Sequence, residues 1–209
     1  MSPGRGGFPE RLVLATANAG KLRELEEILT SWDVDVRPLS EFTTAQAAET
    51  GLSFVENALI KARFAAGASG LPAIADDSGL EVDALNGAPG IHSARYAGAV
   101  ATDADNNLKL LAELEGLPPA RRGARYRCAM VFMRWPLDAA PLIAQAAWDG
   151  RILRAPAGVH GFGYDPIFEV DGSGRSAAQL DPAEKNRVSH RGQALRLLLL
   201  ALQGTGRNG

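Results

Sequence analysis

What this sequence lacks narrows it before any motif is read. It has a single cysteine, so no disulfide can close within the chain; Cys128 lies in the apolar stretch Cys-Ala-Met-Val-Phe-Met, reads as core rather than nucleophile, and fits a reducing compartment. No segment approaches the roughly 18 apolar residues of a membrane span. The richest apolar run, 194–202, is interrupted by Arg196 and reads as a buried terminal helix. The start carries Gly4, Gly6 and Gly7 but no apolar run of signal-peptide length. Nor is there an excess of one charge: 22 Lys and Arg stand against 24 Asp and Glu, which argues against a protein that holds duplex nucleic acid by neutralising its phosphates. There is no internal repeat, low-complexity tract or long linker. These absences give the expectation of a cytoplasmic protein with no membrane or nucleic-acid partner.

What is present suffices for a real core, with 46% hydrophobic residues in 209. A short β-prone run, 12–15, ends in a polar, Gly-containing stretch before a helical pattern with Leu22, Leu25, Ile28 and Leu29. A second helix is signalled at Ser53, with Glu56 three residues on as a capping box. The short strand 72–75 runs into Asp76-Asp77-Ser78-Gly79, putting two carboxylates at a strand end, and 80–82 resumes the alternation. Residues 102–114 read as helix, 124–135 and 142–148 as an antiparallel strand pair, 158–165 as a Gly-rich loop, and the chain closes in a helix from about Val188. The expected fold is α/β: a mixed, twisted central sheet flanked by helices, in two lobes around an active-site cleft. Residues 1–10 read as a flexible extension, 11–203 as one catalytic domain, and 204–209 as a frayed tail.

Four constellations could carry chemistry. Thr16-Ala17-Asn18-Ala19-Gly20-Lys21 is a strand-loop-helix element, not a Walker loop, whose backbone N–H groups and lysine suit a polyphosphate; it serves equally as a capped helix start with a solvated lysine. Asp76-Asp77 would supply hard oxygen ligands to Mg²⁺, or form an Asx turn before Gly79; EF-hand spacing is absent, and Glu49 and Glu56 are further acids nearby. Gly161-Phe162-Gly163-Tyr164-Asp165-Pro166 holds two aromatics between glycines, as a stacking surface for a base or as a loop anchor. Its glycines make no dinucleotide fingerprint. Lys185 with Ser189-His190-Arg191-Gly192 places three basic groups at the beginning of the last helix, against its dipole, where an anion or the carbonyls of a base would use them; a solvated surface is the other reading.

Taken together and in this order, these segments resemble the inosine/xanthosine triphosphate pyrophosphatase family over about 12–200. The resemblance rests on Thr-x-Asn-x-x-Lys at Thr16 to Lys21, Glu-Thr-Gly at Glu49, Ser-Phe-Val-Glu-Asn-Ala at Ser53, Ala-Asp-Asp-Ser-Gly-Leu at Ala75, Gly-Ala-Pro-Gly-Ile at Gly87, Ser-Ala-Arg-Tyr at Ser93, Gly-Phe-Gly-Tyr-Asp-Pro at Gly161 and Ser-His-Arg-Gly at Ser189. It departs at Ala17, where many members carry Gly. What it implies is a homodimeric, Mg²⁺-dependent hydrolase that splits ITP, dITP and XTP into the monophosphate and pyrophosphate, clearing deaminated purines from the nucleotide pool. By matching position, Thr16 to Lys21 would hold phosphates, and Glu49 and Asp77 would ligate the metal, with support from Asp76. Asp77 would also accept the proton of the attacking water. Ser78, Phe162, Gly163, Tyr164, Asp165, Lys185, His190 and Arg191 would bind the nucleotide, with Phe162 stacked on the purine and His190 and Arg191 at its carbonyl edge. A pyrophosphatase for other nucleotides, or a sensor without turnover, is the competing reading.

Overall fold

The computed structural model describes residues 8–16, 18–32 and 34–205. Its strands are β1 (Arg11–Leu14), β2 (Asp35–Pro38), β3 (Ala73–Val82), β4 (Gly123–Met133), β5 (Leu142–Ile152) and β6 (Phe168–Val170); its α-helices are α1 (Ala19–Leu29), α2 (Phe54–Ser69), α3 (Asp103–Glu113), α4 (Pro182–Val188) and α5 (His190–Thr205). One sheet has the order β2-β1-β3-β4-β5-β6. β1 pairs in parallel with β2 and β3, and β5 antiparallel with β6, so the sheet is mixed and the class α/β. The chain divides into two compact units: one takes residues up to Asp77, Cys128–Ala146 and Arg191 onward, the other Ser78–Arg127 and Ala147–His190.

In the first unit β1 and the adjoining parts of β3 and β4 are buried on both faces, as strands between helix layers are. Alternation assigns the faces. Leu12 and Leu14 of β1, Ile74 of β3, and Cys128, Met130 and Phe132 of β4 pack with Leu25 and Leu29 of α1 and Leu195, Leu198 and Leu199 of α5. The intervening Val13, Ala73, Ala75, Ala129, Val131 and Met133 pack with Ala58, Ala62, Ala65 and Ala66 of α2. Alanines recurring at this helical spacing give α2 a thin face, which lets its backbone approach the sheet. Phe8, at the edge of the described residues, lies 5.4 Å from the Trp32 ring, centroid to centroid.

The second unit packs Leu80 and Val82 of β3, Ala124 and Tyr126 of β4, and Trp148 and Ile152 of β5 against Leu110 and Leu114 of α3. On the other side of β4, Arg125 pairs with Asp83 and Arg127 with Glu81. Buried Arg122 donates to the carbonyls of Leu114, Ile152 and Leu153 at 2.7, 2.7 and 2.8 Å, holding the end of α3 to the end of β5. Gly150 opposes Val170, and a Cβ there would stand 2.2 Å from the Glu169 carbonyl oxygen.

Two elements differ from the sequence reading. β3 is one continuous strand, so Asp76 and Asp77 lie mid-strand rather than at a strand end. The terminal helix α5 starts at His190, close to the expected Val188, but an unread helix precedes it: α4 is capped by Asp181, whose side chain accepts the Glu184 N–H, and ends at Ser189, whose extended backbone separates it from α5. Lys185 therefore belongs to α4, and only His190 and Arg191 open α5.

Candidate active site

Adjacent residues of a strand point to opposite faces, and that parts the two aspartates. Asp76 shares the face of Ile74, toward α1 and α5; Asp77 shares the face of Ala75, toward α2. The Lys21 ammonium, on the first turn of α1, donates to Asp76 Oδ2 at 2.9 Å, and the Asp76 side chain is fully buried. Burial alone would raise its pKa; Lys21, Lys61 and Arg191 outweigh that and bring it down to about 2. Asp76 is thus a fixed negative charge that holds Lys21. Arg191, buried at the start of α5, donates from Nε to Glu24 Oε2 at 2.7 Å; burial works against its charge, and Glu24 and Asp76 more than restore it.

On the other face, the Lys61 ammonium of α2 lies 2.7 Å from Asp77 Oδ1 and 2.9 Å from Glu49 Oε1. Asn57, one turn before Lys61, accepts the Gly51 N–H at 2.8 Å and donates to Asp77 Oδ2 at 3.4 Å. It thereby ties the Glu49 loop to the aspartate. A Cβ on Gly51 would come within 2.6 Å of Glu56 Cβ, so this loop closes onto α2 through a glycine. Ser53 caps α2 as expected, and the Glu56 carboxylate returns to the Leu52 N–H and the Ser53 hydroxyl rather than to the Ser53 N–H of a full capping box. Burial raises the Asp77 pKa, against the pull of Lys61.

Glu49 and Asp77 meet on one ammonium, so two carboxylate oxygens reach a single cation position. Among the described residues no group of three or more His, Cys, Asp or Glu forms a metal cage. Mg²⁺ asks for less, since it takes one or two carboxylates and fills the rest with water and substrate phosphate. The donor set fits that ion.

The residues expected to hold phosphates are ordered as a helix cap. Asn18 Oδ1 accepts the N–H groups of Gly20 and Lys21 at 2.9 and 3.0 Å, and Thr16 Oγ1 accepts that of Asn18 at 3.2 Å. These amides are engaged, and what α1 offers an anion is its dipole and Lys21. Ala19 begins the helix, and Ala17 lies outside the described residues.

The second unit gathers the remaining candidates, with Ser78 on β3 at its edge. Buried Asp165 accepts Lys185 Nζ at 2.6 Å, the Phe162 N–H at 2.9 Å and the Tyr126 hydroxyl at 3.2 Å. Lys185 Nζ sits 4.8 Å from the centroid of the Phe162 ring. The His190 ring stacks on Tyr126 with centroids 4.6 Å apart and planes 4° from parallel. Phe162 is half-buried, whereas Tyr164 is core and donates its hydroxyl to the Ser93 carbonyl at 2.8 Å. The two loop aromatics thus part company: Phe162 is half-buried beneath Lys185, and Tyr164 anchors the loop in the core. His190 falls with this unit and Arg191 with the other.

The family model described as the Ham1 family matches residues 12–201. The chain belongs to the Ham1 family. It is 57% identical, over 93% of its own length and 99% of the relative's, to a protein of Thioalkalivibrio sulfidiphilus named dITP/XTP pyrophosphatase, and 54% identical to an Escherichia coli O157:H7 protein of the same name, over 93% of this chain and 98% of that one. A solved Ham1 protein from Coxiella burnetii superposes with a TM-score of 0.86 at 49% identity, covering 94% of this chain and all of that one.

Within this Ham1 chain the sequence reading missed three residues: Lys61, Asn57 and Glu24. Asn57 and Lys61 are four apart on α2 and so share a face, a signal that was available. Nothing in the sequence says that this face meets Asp77, because the contact spans 16 residues, from α2 to β3. Glu24 is one turn beyond Lys21, and its partner Arg191 is 167 residues away.

Proposed function

We propose that this Ham1 protein hydrolyses the non-canonical purine nucleoside triphosphates ITP, dITP and XTP to the nucleoside monophosphate and pyrophosphate, and so removes deaminated purines from the nucleotide pool. The observation that carries this is the convergence of Glu49 and Asp77 on one cation position, in a chain more than half identical to proteins named dITP/XTP pyrophosphatase. Glu49 and Asp77 hold Mg²⁺, which when bound neutralises phosphate charge and polarises the anhydride. Lys21, on the dipole of α1, and Lys61 meet the phosphates. In-line attack of water on phosphorus needs positioning and charge more than a covalent nucleophile. Asp77, partly desolvated, accepts the proton of that water.

The base falls to Phe162, Lys185 and His190 of the second unit and to Arg191 of the first. Phe162 stacks on the purine, with Lys185 fixed over its ring by Asp165, and His190 and Arg191 address the carbonyl edge. Arg191 does so while its Nε stays on Glu24. Donors at that edge reward the six-position oxygen of hypoxanthine and xanthine and oppose the amino group of adenine. The same reading makes the enzyme a cytoplasmic homodimer that binds neither nucleic acid nor membrane; the near balance of charge supports the nucleic-acid part of it.

The test is pyrophosphate release with Mg²⁺ across ITP, dITP, XTP, GTP, ATP and dTTP, with both products identified by chromatography. Fast release from the first three with slow release from the others is expected. Equal rates throughout, or orthophosphate as product, contradict the proposal.

A further inference from the structure

The loop that carries Phe162 is held by a helix to which the proposed function gives no part. α3 turns Asp103, Asn106 and Asn107 toward neighbouring loops, at the three- and four-residue spacing that shares one helix face. Asp103 Oδ2 accepts the Gly163 N–H at 2.7 Å, and Asn107 Nδ2 donates to the Gly163 carbonyl at 3.0 Å, so both main-chain groups of one loop residue rest on one helix. Asn106 anchors the adjacent segment, accepting the Ala97 N–H at 2.7 Å and donating to the Ala94 carbonyl at 3.2 Å.

Peptide units are planar, so anchoring the N–H of one leaves its plane only rotation about that bond, which the chain on either side restricts further. The plane before Phe162 is fixed by Asp165, which accepts the Phe162 N–H, and the plane after it by Asp103, which accepts the Gly163 N–H. With both planes set, the direction in which the Phe162 ring leaves the chain is set. Packing cannot do this job alone. Gly163 has φ +63 and open space where a Cβ would stand, so no neighbour on that side helps to hold it in the left-handed region, and its N–H and carbonyl are both held by α3. Asn107 points the same way: it is buried, its Oδ1 has no hydrogen-bond partner among the described residues, and an unmet buried acceptor is a cost that an apolar residue would avoid. What the side chain returns for that cost is its bond to Gly163.

We infer that Asp103 and Asn107 are positioning residues that set the orientation of the Phe162 ring, and through it the affinity for the purine base, without touching the nucleotide. The inference rests on the proposed base-stacking role of Phe162. Its test compares Asp103→Ala, Asp103→Asn and Asn107→Ala with the unsubstituted enzyme, in ITP kinetics and in inhibition by inorganic tripolyphosphate, which has no base. Asp103→Ala raises the KM for ITP about tenfold and leaves kcat within about twofold, because a ground-state contact with the base is loosened while the phosphates are held as before. Asn107→Ala moves KM in the same direction, and Asp103→Asn, which keeps an acceptor for the Gly163 N–H, returns it toward the parent value. Tripolyphosphate inhibition is unchanged in all three. An unchanged KM in both alanine variants overturns the inference, as does a parallel loss of tripolyphosphate inhibition, which is the mark of general loosening. Failure of the unsubstituted enzyme to act on ITP refutes the functional reading instead, and is seen separately.

Discussion

Asp76 and Asp77 are the same residue type in consecutive positions, and their surroundings give them opposite properties. Asp76 is buried among cations and held ionised; Asp77 is raised by burial and shares its one close cation with Glu49. Asp77→Asn is expected to abolish ITP turnover while equilibrium binding of ITP survives, because the change removes a metal ligand and the proton acceptor but leaves Lys21 and the base residues in place. Loss of binding together with loss of fold by circular dichroism counts against that role. Asp76 predicts an effect on stability. Its folded pKa of about 2 lies below the ordinary carboxylate value, so it contributes stability that is fully present above about pH 4 and is lost as the pH falls from there toward 2. The melting temperature of Asp76→Asn should therefore fall less steeply than that of the parent over this interval; parallel slopes would contradict the assignment. The sequence disclosed these acids and Glu49 as candidates. It did not disclose Lys61, Asn57 or Glu24, because motifs record neighbours along the chain and these residues act on partners across it.

At the scale of elements, periodicity served best where an element is amphipathic and capped by its own residues. α3 and α2 stand close to where they were read, each with an N-cap side chain in place at Thr102 and Ser53. It failed where tertiary contacts override local preference. Asp-Ser-Gly looks like a turn, yet 76–79 continue β3 past its pairing with β1 at Ala73 and Ile74, with β4 as its other neighbour in the sheet. The seven residues of α4 went unread because so short a helix shows too little periodicity to be told from a loop. β5 carries its own prediction. Gly150→Ala forces a methyl group against the Glu169 carbonyl and the Phe168 ring, and should cost about 1–3 kcal/mol in urea unfolding, where a change below about 0.5 kcal/mol would show that the strands can part freely.

For the molecule as a whole, the α/β class and the family were legible from ordered motifs spread over nearly the full chain, and the family match over 12–201 covers the same stretch. The division of the candidate residues between two compact units was not, since each unit is assembled from segments far apart in sequence. That allocation is testable by hydrogen exchange. Inorganic tripolyphosphate with Mg²⁺ should slow exchange at amides of α1 and α2, and inosine alone at those of 161–165; protection of the same amides by both ligands would refute the division. β3 joins the two sets of groups, since Asp77 ends one unit and Ser78 begins the other. A strand counts in twos. One extra codon ahead of Asp76 would turn each later side chain of β3 to the wrong face, exchanging the two aspartates and expelling Leu80 and Val82 from their core. Two extra codons would keep the faces and merely displace them. The gene can therefore drift in length at its turns, whereas at this strand it is held to parity.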